Sequence, residues 1–343
     1  MGCTSGKPKA PLPAKGKSQA EKGFLEAELR SFPSVRRYQG RVLKWKQCVQ
    51  MYGSVALFAQ KQPVLFTRRL YKGPPAQYRA EAWLSLCDWT GDAALYASLA
   101  PKPLDPTVEI SIEKDLDRTY PDLLYFQSEG RRALEELLKV FALAEPDIGY
   151  VQGLNFIAGL CLLVTRGDAP KAYSVLKRLV KGLGLQGLFT ENLPKLAEMS
   201  EILNDQVEEM MPALKRTFES EEVTDGMWVT KWLLSLYASV LPLHVVLRIW
   251  DVLIHQGPDF LLKVGLSLLK AGQGQLLACD CNQICNQFQT LAISTGLDPE
   301  SLLHRALRMK LRRGGRRLEA GAVDSRREEE QGNVTAELPN KHK

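Results

Sequence analysis

Along most of this chain apolar side chains recur every three or four residues. Leu134, Leu137, Leu138 and Phe141 fall on one face of a helix, as do Leu196, Met199, Leu203, Val207 and Met210, and Trp228, Trp232 and Leu236. Asp298 followed by Pro299 reads as an N-cap and first helical residue opening ESLLHRALRMKLRR. Gly257-Pro258 stops the helix through VVLRIWDVLIHQ. RVLKWKQCVQMYGSVALFAQ, within residues 24–64, is helical in pattern too. One segment departs: TVEISI, residues 107–112, alternates as a strand does, and with no second strand to pair with it is read as an extended connector. The pattern predicts an all-α, multi-helical domain of short and medium helices.

Two segments place polar groups where the pattern does not require them. In DIGYVQGLNFIAGLCLLV, residues 147–164, Pro146-Asp147 is expected to introduce a helix. Leu154, Ile157, Ala158 and Cys161 lie along its apolar side, and Gln152, Asn155 and Gly159 along another, with Tyr150 just before them. The polar residues cluster at the N-terminal end, where unbonded amides favour a polar or anionic neighbour, so this end is expected to face something outside the core. In ISIEKDLDRTYPD, Asp115 and Arg118 are three residues apart and share a face, and Pro121 ends the turn. Asp115 is placed to brace the arginine or the backbone around it.

Composition narrows the class. At 343 residues, 45% hydrophobic and 24% charged, the chain can bury a substantial core. Its longest apolar run, Phe156–Val164, is far shorter than the roughly 20 residues of a membrane span. The first residues are Lys, Pro, Gly and Ala rather than the apolar core of a secretory signal. Seven scattered cysteines do not form a disulfide framework, which points to the cytoplasm and makes the sequon at Asn333-Val334-Thr335 coincidental. The net charge of +6 is uneven: +4 over residues 1–22, +6 over 308–327, and −2 each over 23–307 and 328–343. A nucleic-acid-binding domain would hold its positive charge on the folded part, so nucleic acid is not an expected partner. Residues 1–22 and 311–343 read as disordered basic or charged tails, and 23–64 as a helical N-terminal extension.

Common chemical signatures are missing. Gly16-Lys17-Ser18 resembles the end of a phosphate loop, but Pro11 stands where the first glycine belongs and no strand precedes it. There is no G-x-S-x-G elbow, and His244, His255, His304 and His342 have no metal-ligand spacing. Cys279, Cys281 and Cys285 lack a nearby fourth ligand and are read as small buried thiols rather than a metal site. No cofactor or metal of its own is expected.

Four segments in order resemble the TBC domain family of Rab GTPase-activating proteins. LYKGPPAQYRAEAWLSL (70–86), with Gly73, Pro75, Arg79 and Trp83, is similar to the family's opening motif. IEKDLDRTYP (112–121) resembles its I-x-x-D-x-x-R motif, IGYVQGLNFIAG (148–159) its Y-x-Q motif, and KWLLSLYASVLPLHVVLRIWDVLI (231–254) its C-terminal signature. Pro74, Tyr120 and Leu154 depart from the usual apolar residue, Phe and Met. The resemblance spans roughly residues 65–310 and implies a GTPase activator without nucleotide hydrolysis of its own. It implies that Arg118 is an arginine finger and Gln152 a glutamine finger, both supplied in trans to a GTP-bound Rab that itself holds GTP and Mg²⁺. Asp115, Tyr150, Asn155, Arg79 and Trp83 are then supporting or GTPase-contacting residues, while Trp250 and Asp251 belong to the core. The alternative is a non-catalytic scaffold of the same fold that binds a Rab at membranes.

The N-terminus, MGCTSGK, offers Gly2 for myristoylation and Cys3 for palmitoylation, although Gly6 replaces the Ser or Thr of the usual pattern. A single acyl chain binds membranes marginally, and a second chain or nearby lysines would supply the rest. This places the chain in the cytoplasm with an expected association with the cytosolic face of endomembranes or the plasma membrane.

Overall fold

Several helix boundaries follow local chemistry, with side-chain caps at Ser54, Asp105, Asp168 and Asp298. The computed structural model describes residues 35–296, 298–313 and 316–317. Among them sixteen α-helices run in order: α1 Val35–Tyr52, α2 Val55–Lys61, α3 Pro63–Lys72, α4 Ala76–Leu84, α5 Asp92–Leu99, α6 Pro106–Leu116, α7 Glu129–Ala144, α8 Leu154–Val164, α9 Ala169–Lys177, α10 Pro194–Met210, α11 Pro212–Ser220, α12 Val229–Leu234, α13 Leu243–Gln256, α14 Asp259–Leu276, α15 Cys281–Ser294 and α16 Pro299–Arg308. The Asp298 carboxylate caps α16 by accepting from the Glu300 and Ser301 amides, and Gly257, with φ of +86°, ends α13. The chain up to Met309 forms one unit. Beyond it, Arg312–Arg313 pairs antiparallel with Arg316–Arg317.

The TVEISI segment is not an extended connector. It forms most of α6, because Asp105 caps the Thr107 amide at 2.8 Å and Pro106 takes the first turn, where its missing N–H is not needed. Ile112 and Leu116 turn inward while Ile110 stays exposed, so burial follows the helical period. Alternation of β-branched residues lost to a strong start signal and a helical face.

The core is built around α8, which is buried at every position except Phe156 and packs between α7 and α9. Helix α13 forms a second buried axis against α14, α16 and α3. Trp45 of α1 seats against the rings of Phe58, Phe66 and Tyr78 at centroid separations of 5.9, 6.0 and 5.9 Å, so residues 35–72 share one aromatic cluster with α4.

Cys279, Cys281 and Cys285 are half-exposed rather than buried, because Ile284, Phe288 and Leu291 take the inward face of α15. Among the described residues no three His, Cys, Asp or Glu side chains gather as metal ligands, and no helix is long and apolar enough to cross a membrane. Gly2, Cys3 and the Asn333 sequon lie outside the described residues.

Candidate functional site

Arg118 lies two residues beyond the last residue of α6, and Gln152 two residues before the first of α8; both side chains are exposed. The segments that bear them are tied together twice. One Asp115 oxygen meets the Arg118 guanidinium at 2.5 Å and the other accepts the Tyr150 hydroxyl at 2.5 Å. Asp115 itself is almost wholly buried, and its backbone carbonyl accepts the Thr119 hydroxyl at 2.6 Å. The Asn155 amide nitrogen donates to that same Thr119 oxygen at 2.7 Å, and its carbonyl oxygen accepts the Gly153 N–H at 3.0 Å. Buried hydrogen bonds of this kind are costly to leave half-made, so the network holds both segments in one register.

Backbone requirements reinforce it. Gly153 has φ of +112°, and a Cβ there would stand 2.4 Å from the Leu234 carbonyl oxygen, so a bare α-carbon is needed directly after Gln152. Tyr120 donates its hydroxyl to the Phe156 carbonyl at 2.9 Å, and its ring lies over Gly159, where a Cβ would approach to 2.9 Å. Helix α8 is thus the platform on which the Arg118 segment rests. Burial, then the bond to Asp115, pushes the Tyr150 hydroxyl above the ordinary phenol range, so it remains a donor at neutral pH.

The front end of α8 differs from the sequence expectation. Residues 145–153 form a loop rather than the first turns of a helix, with Gly149 and Gly153 both at positive φ. The Gly153 N–H is closed by Asn155, and the Leu154 N–H by the Val151 carbonyl at 3.1 Å. Those helix-entry amides therefore have partners within the chain. Gln152, not the helix end, faces outward.

Burial also separates supporting residues from contact residues. Asn155, Arg79 and Trp83 are fully buried, so their side chains offer nothing to a docked protein, whereas Tyr150 is half-exposed. Arg79 and Trp83 do not join the Arg118–Gln152 network. They bind Asp251: Arg79 Nε and Trp83 Nε1 donate to one oxygen at 2.9 and 3.0 Å, and Arg79 and Arg248 guanidinium nitrogens donate to the other at 3.2 and 2.7 Å. Desolvation pulls the Arg79 pKa down, and Asp251 opposes that pull. Sequence reasoning passed over Thr119; its place four residues after Asp115 allows the backbone bond, but no local pattern reveals Asn155 as its partner.

A family model described as the Rab-GTPase-TBC domain matches residues 76–277, more than half of the chain. The chain belongs to the Rab-GTPase-TBC domain family. Growth hormone-regulated TBC protein 6 of Caenorhabditis elegans is 32% identical over 234 residues, covering 67% of this chain and 68% of the relative. Growth hormone-regulated TBC protein 1 of Xenopus laevis is 28% identical over 261 residues, covering 73% and 74%. Among solved structures, the Chlamydomonas flagellar RabGAP TBC domain superposes with a TM-score of 0.65 at 23% identity, covering 80% of this chain and 95% of that one. The Ypt/Rab-GAP domain of Gyp1p gives 0.67 at 17%, covering 79% and 97%. These similarities establish an all-α TBC fold, and the TBC match contains both Arg118 and Gln152.

Proposed function

We propose that this TBC domain accelerates GTP hydrolysis by a Rab-family GTPase, with Arg118 and Gln152 entering the partner's nucleotide site together. The observation that carries this reading is the pair of exposed side chains, remote in sequence, on segments stitched by the Asp115–Tyr150 and Thr119–Asn155 bonds. During phosphoryl transfer, charge spreads over the phosphoryl oxygens, and a planar guanidinium meets it with two parallel N–H donors in a site that docking dries. A carboxamide can accept a hydrogen bond from the attacking water while donating to a γ-phosphate oxygen, holding the water in line. In this reading GTP and Mg²⁺ belong to the GTPase.

The test is single-turnover hydrolysis across a panel of GTP-loaded Rab proteins with purified full-length chain. At least one Rab should be accelerated, and Gln152→Ala should slow that step while leaving complex affinity within a few-fold. A Rab that binds tightly with no gain in rate would establish the scaffold reading instead. A loss of affinity in Gln152→Ala with the bound rate unchanged would make Gln152 a docking residue.

Membrane attachment through Gly2 and Cys3 is a separate proposal, supported by the Met-Gly-Cys start and the lysines after it. Gly2→Ala should move the protein from the membrane to the soluble fraction of cells and abolish a myristoyl mass increment. Unchanged fractionation with no lipid mass in the parent chain would remove the idea.

A further inference from the structure

A cavity of about 1040 Å³ lies among α1, α3, α13 and α16, and none of residues 115–120 or 150–155 lines it. Its walls are strongly cationic. The acids present are already engaged: Glu300 binds Arg37 at 3.1 Å and also Arg41, while Asp298 accepts two backbone amides as the α16 cap. Among the described residues Lys44, Arg68, Arg69 and Lys72, all lining the cavity, have no ion-pair partner. The Lys72 ammonium has its pKa lowered by desolvation and then by Arg68, Lys44, Arg69 and Arg41, so these cations repel one another across the space.

A second feature points the same way. Arg248 is 1% exposed and lines the cavity from α13. Its terminal nitrogens bond Asp251 and the Tyr71 carbonyl, but its Nε has no partner, and neither has the buried Nε of Arg69. Those two nitrogens are sealed from solvent, but the guanidiniums that carry them bring positive charge from two different helices to the lining of the cavity.

We propose that this cavity binds a compact, multiply phosphorylated anion of the inositol polyphosphate class, borne by a lipid or free in solution. Cations from separate helices converge on one concavity instead of forming the stripe that an extended acidic peptide would need. Guanidinium forks match phosphate oxygens, lysines add point charge, and the volume is at the scale of small-molecule sites. Lipid-borne ligand would hold the domain against an anionic leaflet through a site distinct from the N-terminal tail.

The test uses the full chain with two probes: soluble inositol hexakisphosphate by titration calorimetry, and phosphatidylcholine vesicles with or without phosphatidylinositol bisphosphate by co-sedimentation. Lys44, Arg68 and Lys72 are exposed, so the triple variant Lys44→Gln/Arg68→Gln/Lys72→Gln should fold normally, as circular dichroism would verify. It should bind the preferred probe about a hundredfold more weakly, from about 1 kcal/mol for each of the three basic residues. Glu300→Gln removes a negative charge from the cavity wall and should bind more tightly. Lys46→Gln, exposed on α1 but outside the cavity, should match the parent. Soluble binding lost in the triple variant assigns a free anion; vesicle binding alone, lost in the triple variant, assigns a lipid headgroup. Equal binding by the triple variant and Lys46→Gln overturns the proposal, as does displacement by polyglutamate at lower concentration than by inositol hexakisphosphate. Because the tails are identical in every variant, differences report the cavity. Stimulated hydrolysis in solution should be unchanged in the triple variant, which separates this site from the proposed catalytic one.

Discussion

Arg118→Ala should fold like the parent chain and lose nearly all stimulated GTP hydrolysis. The side chain is 47% exposed, but the Asp115 carboxylate it pairs with is only 8% exposed, so its removal leaves one nearly buried oxygen unpaired and should cost about 1–3 kcal/mol, too little to unfold the domain. In catalysis the expected loss is of another order. In the Ras system, a different GTPase–activator pair, an arginine finger supplied in trans contributes about 10³–10⁵ in rate. That is roughly 4–7 kcal/mol of barrier. Arg118→Lys should recover little, because an ammonium keeps the charge but loses the planar fork. Single-turnover rates on the responsive Rab, beside chemical denaturation curves, separate the two quantities. A folded variant that stimulates undiminished would end the catalytic assignment.

Asp251→Ala should have the opposite profile, with a large loss of stability and an effect on activity only through the folded fraction. This carboxylate is 0% exposed and receives hydrogen bonds from Arg79, Trp83 and Arg248, joining α4 to α13. Its removal leaves two buried guanidiniums without the anion they share, and breaking such a pair costs about 3–5 kcal/mol. Asp251→Asn keeps the shape and some hydrogen bonds but not the charge, and should fall in between. Urea midpoints measured for both variants decide the matter. A shift equivalent to less than about 1 kcal/mol for Asp251→Ala would show that the network relaxes without it.

Much of this architecture was legible where local chemistry is strong. The Asp298-Pro299 start, the Gly257 stop and the apolar face of Leu134, Leu137, Leu138 and Phe141 all appear as read. The same Asp-Pro signal stands at Asp105-Pro106, yet the β-branched alternation after it suggested an extended segment. A start signal and the inward spacing of Val108, Ile112 and Leu116 outweigh propensity, which is a weak prior over six residues. The loop before α8 was harder. What makes Gly153 necessary is the Leu234 carbonyl oxygen, 81 positions away, which would collide with any Cβ there. Asn155 and Thr119 are likewise joined across 36 positions, and no periodicity encodes that bond. The motifs identified the outward residues; only the packing shows which neighbours hold them.

Asp115 serves two masters with its two oxygens. A partner that draws the guanidinium away leaves the Tyr150 hydroxyl still anchored, so the arm can reach out while its shoulder stays fixed. Extension exchanges the Asp115 carboxylate for whatever anion the partner offers, and the free protein can keep the Arg118 guanidinium folded back until that anion arrives.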